Sequence, residues 1–375
     1  MTRKGKSPGE PARKATEEPV RAPSGTPTLT KYEQPALTLA PREPVTRLRF
    51  FGSAHEPFSM PESKALFTIG TGACDLVIQK KLSPRVSGFH ATLERVDGTA
   101  LHVKDQQSKN GTFRTLGENR LASFHVRAGE SFWLANLRLL PMDTQLEVLR
   151  PHLARCLGLD SHDVIDETLE MIATGAPLAL IGPPGTDAAR LAEAIHDASP
   201  QRLNFLLKLG AGPLPSLDHA RGGTVFLDLD QIPRLTAPWV APLFDPKQGL
   251  RAIFAATTDK LTWQRLDTYR DKVKPVALVP LARRPGDVVR LMALHWIDEL
   301  RTGRRVEELG PGLEKIAARK WVGNLDELRE ASVRLHAYLE HGALRGAAVP
   351  LGLKHQSLSG YFQRLGFTLR DQADR

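Results

Sequence analysis

LALIGPPGTDAA, residues Leu178–Ala189, sets the architecture of the second half of the chain. Four apolar residues lead into a turn rich in glycine and proline, and a helical pattern follows the turn. A short strand that is apolar on both faces is typical of a parallel sheet covered by helices. Similar apolar runs at Thr224–Asp228, Leu250–Ala256 and Pro275–Val279 predict further strands of the same sheet. The pattern therefore predicts an α/β domain, followed from Asp287 onward by a helical region.

The turn within this stretch occupies the place of a phosphate-binding loop, between a strand and a helix. Such a loop reads G-x-x-x-x-G-K-[ST], and its amides and lysine bind the phosphates of a nucleotide. Gly182, Gly185 and Thr186 remain as candidates for residual nucleotide binding through backbone amides. Asp187 replaces the second glycine, and Ala188 replaces the lysine. Because aspartate is a favourable residue at a helix N-terminus, we expect Asp187 to cap the helix rather than to bind an anion.

The region upstream, from residue 45 to residue 148, has a different pattern. Short runs alternate between apolar and polar residues, and turn signals such as Asp97-Gly98 separate them. Many short strands with regular turns predict an all-β sandwich. Three motifs occur in it at Phe67–Gly70, Ser87–His90 and Ser108–Phe113.

The order and spacing of these three motifs resemble the forkhead-associated (FHA) family, a β-sandwich that binds phosphothreonine peptides with the loops at one end. The resemblance implies that Ser87 hydrogen-bonds the phosphate and that Asn110 holds the peptide backbone beside the phosphothreonine. It also implies structural roles for two residues. His90 supports the loops, and Gly111 allows the Asn-Gly turn its positive φ.

One position departs from the FHA pattern. The arginine that usually contacts the phosphate follows the Ile-Gly turn, and Thr71 stands there in this chain. The loss of one charge-assisted contact costs about 1.5–3 kcal/mol if nothing replaces it. Arg85, two residues before Ser87, and Lys109 are candidates for the replacement. Phosphate-dependent peptide binding is the favoured prediction, and a docking surface that ignores phosphate is the alternative.

The second half of the chain resembles the AAA+ domain of sigma-54 activators. Ala255–Thr258 corresponds to the sensor I strand, and Trp321–Leu328 is similar to the W-P-G-N-V-R-E-L signature of the helical lid. Asp326 takes the place of the sensor II arginine within that signature. The G-A-F-T-G-A motif, which grips sigma-54 in this family, occurs nowhere in the sequence. The resemblance thus implies an AAA+ fold retained as an interaction or oligomerisation surface.

The resemblance also assigns Gly222–Leu229 to the Walker B strand, whose family core ends in Asp-Glu. Asp228 is kept and is a candidate magnesium ligand, but Leu229 replaces the glutamate that would polarise the attacking water. Leucine cannot act as a base. We therefore expect no catalytic residue, no ATP hydrolysis and no dedicated metal site, with binding of ATP and magnesium left open.

These patterns predict a division of the chain into five segments. They are a basic, proline-rich, disordered tail (1–44), an FHA domain (45–148), a degenerate α/β AAA+ subdomain (149–285), its helical lid (286–345) and a short C-terminal tail (346–375). A helical connector is expected from Pro151 to about Ala173. Thr16, Thr26 and Thr28 are candidate phosphorylation sites in the first segment.

Composition limits the partners. The 375 residues carry a net charge of +9 and two cysteines, Cys74 and Cys156. The charge is compatible with nucleic acid, an anionic membrane surface, acidic phosphoproteins or a merely solvated surface. Two isolated thiols argue against disulfides or structural zinc, and no apolar run is long enough to span a membrane, so a cytoplasmic location without membrane partners is expected. One amphipathic helix around Ser357–Leu365 is too little for a two-helix DNA reader, so sequence-specific DNA binding is not expected.

The sequence thus predicts a non-enzymatic regulatory adaptor. Its expected partner is a protein that carries phosphothreonine, such as a Ser/Thr kinase or its substrate. An intact AAA+ sigma-54 activator is a candidate second partner. Two alternatives stay open at this point: a working FHA-coupled sigma-54 activator that binds or hydrolyses ATP, and a purely structural protein.

Overall fold

A computed structural model describes residues 39–217, 220–232 and 234–367 of the chain. Its first part is a sandwich of two five-stranded sheets, as the alternating pattern predicts. The strands are β1 Arg47–Phe50, β2 Phe58–Ser59, β3 Leu66–Gly70, β4 Leu76–Val77, β5 Ala91–Val96, β6 Ala100–Asp105, β7 Thr112–Phe113, β8 Ser123–Arg127, β9 Phe132–Leu134 and β10 Leu137–Met142. One sheet has the order β2-β1-β10-β9-β7, and the other has the order β4-β3-β5-β6-β8. Inward-facing residues of both sheets, among them Leu48, Ile69 and Phe132, form one apolar core.

The strand register brings three loops to one end of the sandwich. Ile69 of β3 pairs with Ala91 of β5, and Ala91 pairs with Asp105 of β6. The end of β3, the start of β5 and the end of β6 therefore lie side by side. The segments that follow or precede these points are the loops between β3 and β4, between β4 and β5, and between β6 and β7. The first motif, Phe67–Gly70, is the end of β3 itself. Ser87–His90 lies on the second of these loops, and Ser108–Phe113 covers the third loop and β7.

The second part is an α/β domain built on a parallel sheet. Its strands are β11 Leu178–Ile181, β12 Leu206–Leu209, β13 Thr224–Asp228, β14 Arg251–Ala256 and β15 Lys274–Ala277. The order in the sheet is β12-β13-β14-β11-β15, and every neighbouring pair is parallel. All six residues of β14 are buried, because helices cover both faces of the sheet. The predicted fold class is confirmed.

The helices surround this sheet and form the lid. In chain order they are α1 Thr144–Leu157, α2 His162–Ala173, α3 Ala188–Asp197, α4 Ala237–Val240, α5 Asp259–Leu266, α6 Val288–Asp298, α7 Gly312–Ala318, α8 Asn324–His341, α9 Leu344–Ala348 and α10 His355–Arg364. The connector begins earlier than Pro151, because Asp143 caps α1 and accepts a hydrogen bond from the amide of Leu146 at 2.8 Å. Within the described residues, no helix combines the length and apolarity that crossing a membrane requires.

Two segments that the sequence assigns to tails are packed where the structure describes them. Residues up to Phe367 belong to the helical lid, because Leu358 and Phe362 of α10 are fully buried and Phe362 packs edge-on against Tyr338 of α8. The predicted amphipathic helix is present there as α10. Before the sandwich, the amide of Ala40 donates to the carbonyl oxygen of Pro200 at 2.7 Å. The candidate phosphorylation sites Thr16, Thr26 and Thr28 lie outside the described residues.

A buried ion-pair network joins the sandwich to the α/β domain. Leu140 of β10 and Leu149 of α1 share one apolar core with the lid. Asp166 of α2 is fully buried beside them. Its carboxylate accepts from Nε of Arg49 in β1 at 3.2 Å and from Nε of Arg150 in α1 at 3.1 Å. The two folds therefore form one packed body rather than two domains on a flexible tether.

We expect Asp166→Asn to lower the free energy of unfolding by about 3–5 kcal/mol, because it leaves the buried guanidinium of Arg49 and the partly buried guanidinium of Arg150 without their counter-ion. Urea unfolding followed by circular dichroism measures this change. The matched control is Asp160→Asn, which breaks an exposed ion pair with Arg290 and should cost under about 1 kcal/mol. Similar small effects of both substitutions would show that the network does not hold the two folds together.

Candidate functional sites

Five predicted binding residues meet at the loop end of the sandwich. The amide of Lys109 donates to Oγ of Ser87 at 3.0 Å. Nδ2 of Asn110 donates to the carbonyl oxygen of Arg85 at 2.7 Å. The amide of Thr71 donates to the carbonyl oxygen of Ser87 at 3.0 Å. Three loops that are distant in sequence are thus tied into one cluster, which we call the loop cluster.

His90 supports the loop cluster from below and is fully buried. Its Nδ1 accepts a hydrogen bond from the amide of Ser87 at 3.0 Å, so Nε2 carries the proton and donates to the carbonyl oxygen of Gly111 at 3.0 Å. Burial lowers the pKa of His90, and the carbonyl bond only partly opposes this. A neutral imidazole therefore links two loops. Gly111 has φ of 80°, the conformation that the Asn-Gly turn predicts.

The surface of the loop cluster offers donors and positive charge. Ser87 accepts one bond, which leaves its hydroxyl proton for a ligand oxygen. Arg85 and Lys109 are exposed, and neither pairs with a carboxylate within residues 39–217. Burial opposes ionisation of the nearby Asp105, but hydrogen bonds from Ser108 and Arg120 outweigh it and hold the pKa of Asp105 low. That carboxylate is therefore already engaged and does not cancel the two free cations.

Thr71 occupies the position of the family arginine without replacing its charge. Its side chain is half-buried, and its hydroxyl lies 3.5 Å from the carbonyl oxygen of Val86. A threonine there can give a ligand at most one hydroxyl bond. Arg85 and Lys109 therefore remain the predicted replacements for the missing cation.

The pKa of His90 gives a testable pH dependence. It lies below 6.5 in the folded protein, so the unfolded chain binds the proton more tightly. The stability that neutral His90 contributes is complete above pH 6.5 and is lost as the pH falls below that value. We expect His90→Gln to reduce the loss of unfolding free energy between about pH 7.5 and pH 5.5, by at most about 1.4 kcal/mol per pH unit. Urea midpoints at several pH values check this, and the exposed control His125→Gln should keep the wild-type slope.

The glycine-rich turn before α3 keeps a compact shape. The amide of Gly182 donates to the carbonyl oxygen of Ala256 at 3.0 Å. The hydroxyl of Thr186 is directed into the turn and donates to the carbonyl oxygen of Pro183 at 2.8 Å. Thr186 is buried, and Gly185 has φ of 78°. The fold therefore holds this loop between strand and helix, where the sequence places it.

The lid lies directly on this turn. Nδ2 of Asn324 donates to the carbonyl oxygen of Pro184 at 2.8 Å, and the amide of Leu325 donates to the carbonyl oxygen of Gly185 at 2.9 Å. A Cβ atom added to Gly185 would come within 2.2 Å of the carbonyl oxygen of Gly323. The start of α8 is therefore in backbone contact with the loop.

Asp187 does not cap α3, so the predicted capping role is wrong. Its backbone is left-handed, with φ of 69°, and its side chain makes no cap hydrogen bond. The carboxylate instead pairs with Arg329 of α8, at 2.5 Å between Nη2 and Oδ2 and 3.3 Å between Nη1 and Oδ1. Burial works against the charge of Arg329, but Asp187 and Glu299 outweigh it and raise its pKa. An ion pair thus joins the α/β domain to the lid at the N-terminus of α3, the position where the sequence pattern predicts a phosphate-binding loop.

Asp228 already uses both of its carboxylate oxygens. Oδ1 accepts from the amide of Asp230 at 3.1 Å, and Oδ2 accepts from Nε2 of Gln231 at 2.6 Å. The neighbouring Leu229 is buried. Within the part of the chain that the structure describes, no three His, Cys, Asp or Glu side chains are grouped to hold a metal ion. Magnesium at Asp228 would have to displace these internal donors.

Arg329 could not be identified from the sequence as a partner of the glycine-rich turn. It follows the lid motif by one residue and lies three residues after Asp326, so it reads as an ordinary surface cation. Its partner Asp187 is 142 residues away. The backbone of Asp187 is left-handed, which no local sequence pattern predicts, and its carboxylate pairs with Arg329 of α8.

Known proteins are similar to both parts of the chain. Residues 67–127, which include Ser87, His90 and Asn110, match the FHA domain family. Nitrogen fixation protein AnfA of Azotobacter vinelandii is 25% identical over 259 residues, covering 56% of this chain and 48% of AnfA. DNA-binding transcriptional activator HyfR of Escherichia coli is 22% identical over 314 residues, covering 56% of this chain and 47% of HyfR. The chain spans about half the length of these two relatives.

Among solved structures, NtrX from Brucella abortus, determined in complex with ATP, is 18% identical. It matches with a TM-score of 0.37 and covers 60% of this chain and 68% of the NtrX chain.

Proposed function

We propose that this chain, which joins an FHA domain to an α/β AAA+-like domain of the sigma-54-activator kind, is a regulatory adaptor that reads phosphothreonine. The loop cluster binds a phosphothreonine segment of a partner protein. The α/β domain and its lid dock a second protein of the transcription machinery, such as an intact AAA+ activator, and do not hydrolyse ATP.

One observation carries the first half of the proposal. Ser87, held by the amide of Lys109, presents a hydroxyl beside two exposed cations that have no counter-ion within residues 39–217. A phosphate carries three acceptor oxygens and close to two negative charges, so it matches a hydroxyl, Arg85 and Lys109. Asn110 uses Nδ2 to hold Arg85, which leaves its Oδ1 to accept an amide of the peptide.

We expect Ser87→Ala to lower the affinity for a phosphothreonine peptide by about tenfold or more, because a hydrogen bond to a charged group contributes about 1.5–3 kcal/mol. Fluorescence anisotropy with an oriented library of phosphothreonine peptides measures this loss. Ser123→Ala, which alters an exposed serine of β8, is the control and should bind normally. Equal binding of unphosphorylated threonine peptides would favour the docking surface that ignores phosphate.

The second half of the proposal rests on what stands in place of the catalytic groups. Ala188 offers no charge to a β- or γ-phosphate, and Leu229 offers no base. The carboxylate of Asp187 faces the same helix N-terminus and is neutralised by the lid. An incoming triphosphate would have to displace this ion pair. It would then lie beside the negatively charged carboxylate of Asp187.

The similarity to a transcriptional activator supports a second candidate function, which is that of a working ATP-dependent activator. Phosphate release by the purified chain with ATP and magnesium separates the two. We expect no release above the rate of a control lacking protein. Steady release that Asp228→Ala abolishes would establish the working activator and overturn the proposed adaptor.

A further inference from the structure

A cavity of about 280 Å³ lies where the sandwich meets the α/β domain. Its walls come from segments that are far apart in the chain. Among the lining residues are Arg42 before β1, Thr99 and Arg127 of the sandwich, Gly175 after α2, Gln201 after α3, and Arg251 of β14. This cavity is separate from the loop cluster and from the glycine-rich turn, whose residues do not line it.

Arg251 is a buried cation without a full complement of partners. It is 2% exposed. Its Nη2 donates to the carbonyl oxygen of Ile172 at the end of α2, at 2.8 Å, while its Nε has no partner. Burial lowers the pKa of Arg251 to about 10, so the side chain stays charged at neutral pH. The C-terminus of a helix supplies about half an elementary charge, which leaves part of the buried charge uncompensated.

The other charges on the cavity wall add to this imbalance. Arg42 and Arg127 are exposed cations, and neither forms an ion pair with a residue that the structure describes. The two acids on the wall are already engaged. Glu43 pairs with Arg202 at 3.1 Å, and Asp143 caps α1, with a pKa that burial raises. The cavity therefore has an excess of positive charge.

Gln201 limits which ligands fit the cavity. Its Oε1 is buried and has no hydrogen-bond donor among the described residues. A ligand that satisfies both this oxygen and Nε of Arg251 must offer a donor as well as acceptors. A carboxylate ion offers acceptors alone, whereas a hydrogen phosphate or a phosphomonoester with a neighbouring hydroxyl offers both.

We propose that this cavity binds a small phosphate-bearing anion, held by Arg251, Arg127 and Arg42 and donating a hydrogen bond to Oε1 of Gln201. Bound there, the anion contacts the sandwich and the α/β domain at once. It therefore stabilises their junction and links the occupancy of the cavity to the rigidity of the whole unit. The site is independent of the peptide that the loop cluster reads.

Isothermal titration with inorganic phosphate at constant ionic strength tests the site. Because phosphate also enters the loop cluster, the background is the full chain carrying Ser87→Ala and Asn110→Ala. We expect one site in this background. Arg127→Gln should weaken it by about tenfold, the effect of one lost charge-assisted contact, and Arg251→Gln should abolish it. Lys104→Gln, an exposed cation elsewhere on the sandwich, is the control and should leave the affinity unchanged.

If Arg251→Gln fails to fold, the two substitutions at the rim of the cavity, Arg127→Gln and Gln201→Leu, test the proposal instead. Each should lower the affinity for phosphate. Glycerol 2-phosphate in a parallel arm tells whether the ligand is free phosphate or an ester, and tighter binding of either supports the proposal. Acetate binding as tight as phosphate overturns it, because acetate lacks the donor that Gln201 requires. Absence of binding in the background, or binding that both rim substitutions leave intact, also overturns it.

Discussion

Asp187→Asn should loosen the lid and lower the free energy of unfolding by about 3 kcal/mol, the low end of the cost of breaking a buried ion pair. The substitution keeps the left-handed backbone, which asparagine tolerates, and removes only the charge. The side chain of Arg329 is 19% exposed, and its remaining carboxylate partners would be Asp326 at 3.0 Å and Glu299 at 3.6 Å. Hydrogen exchange of the amide of Leu325, which bonds the glycine-rich turn, reports the loosening directly.

A double-mutant cycle separates the ion pair from other effects of these substitutions. Arg329→Met alone should cost a similar amount, and the double variant should cost less than the sum of the two. Asp326→Asn, which alters an exposed partner of the same arginine, is the control and should change stability by under about 1 kcal/mol. Additive single effects would mean that Asp187 and Arg329 do not hold the lid as a pair.

The largest expected loss of binding comes from removing both cations of the loop cluster. The double substitution Arg85→Gln and Lys109→Gln should lower the affinity for a phosphothreonine peptide by about 100-fold or more, because each charge-assisted bond contributes about 1.5–3 kcal/mol. The dependence of the affinity on salt concentration should fall as well, since two exposed charges no longer contribute. Anisotropy titrations at two salt concentrations measure both quantities.

Thr71→Arg tests the same idea from the opposite direction. Placed on the double variant, it restores a cation at the position where the FHA family has one, and we expect it to recover about tenfold in affinity, the contribution of one charge-assisted bond. Lys104→Gln with Arg114→Gln removes two exposed cations elsewhere on the sandwich and should leave peptide affinity nearly unchanged. An equal loss in this control would assign the effect to net charge rather than to the loop cluster.

Much of the fold follows from local patterns. Alternation along β5 and β6 predicts half-buried strands, and the apolar run of β14 predicts a strand covered on both faces. Element boundaries were less accurate. Helix α1 starts before Pro151, because Asp143 caps it. The lid extends to Phe367, because the apolar face of α10 packs on α8. These differences arise where a cap or a tertiary contact, rather than the periodicity, sets the end of an element.

The amino-acid order alone supplies the side chains on which the proposed function rests. It predicts Ser87, His90 and Asn110 on loops of a β-sandwich, and it has Ala188 and Leu229 at the positions where the resemblance to sigma-54 activators leads us to expect a lysine and a base. Side-chain chemistry belongs to each residue, so it can be read without coordinates.

The folded chain alone revealed which distant groups act together. Asp187 meets Arg329 across 142 positions, and Asp166 meets Arg49 across 117. Arg251 borders a cavity with residues of the sandwich. Such pairs depend on how the sandwich, the sheet and the lid pack, and on a left-handed backbone at Asp187. Because the energy of an ion pair depends on distance and burial, which no stretch of neighbouring residues specifies, only the three-dimensional arrangement could assign these partners.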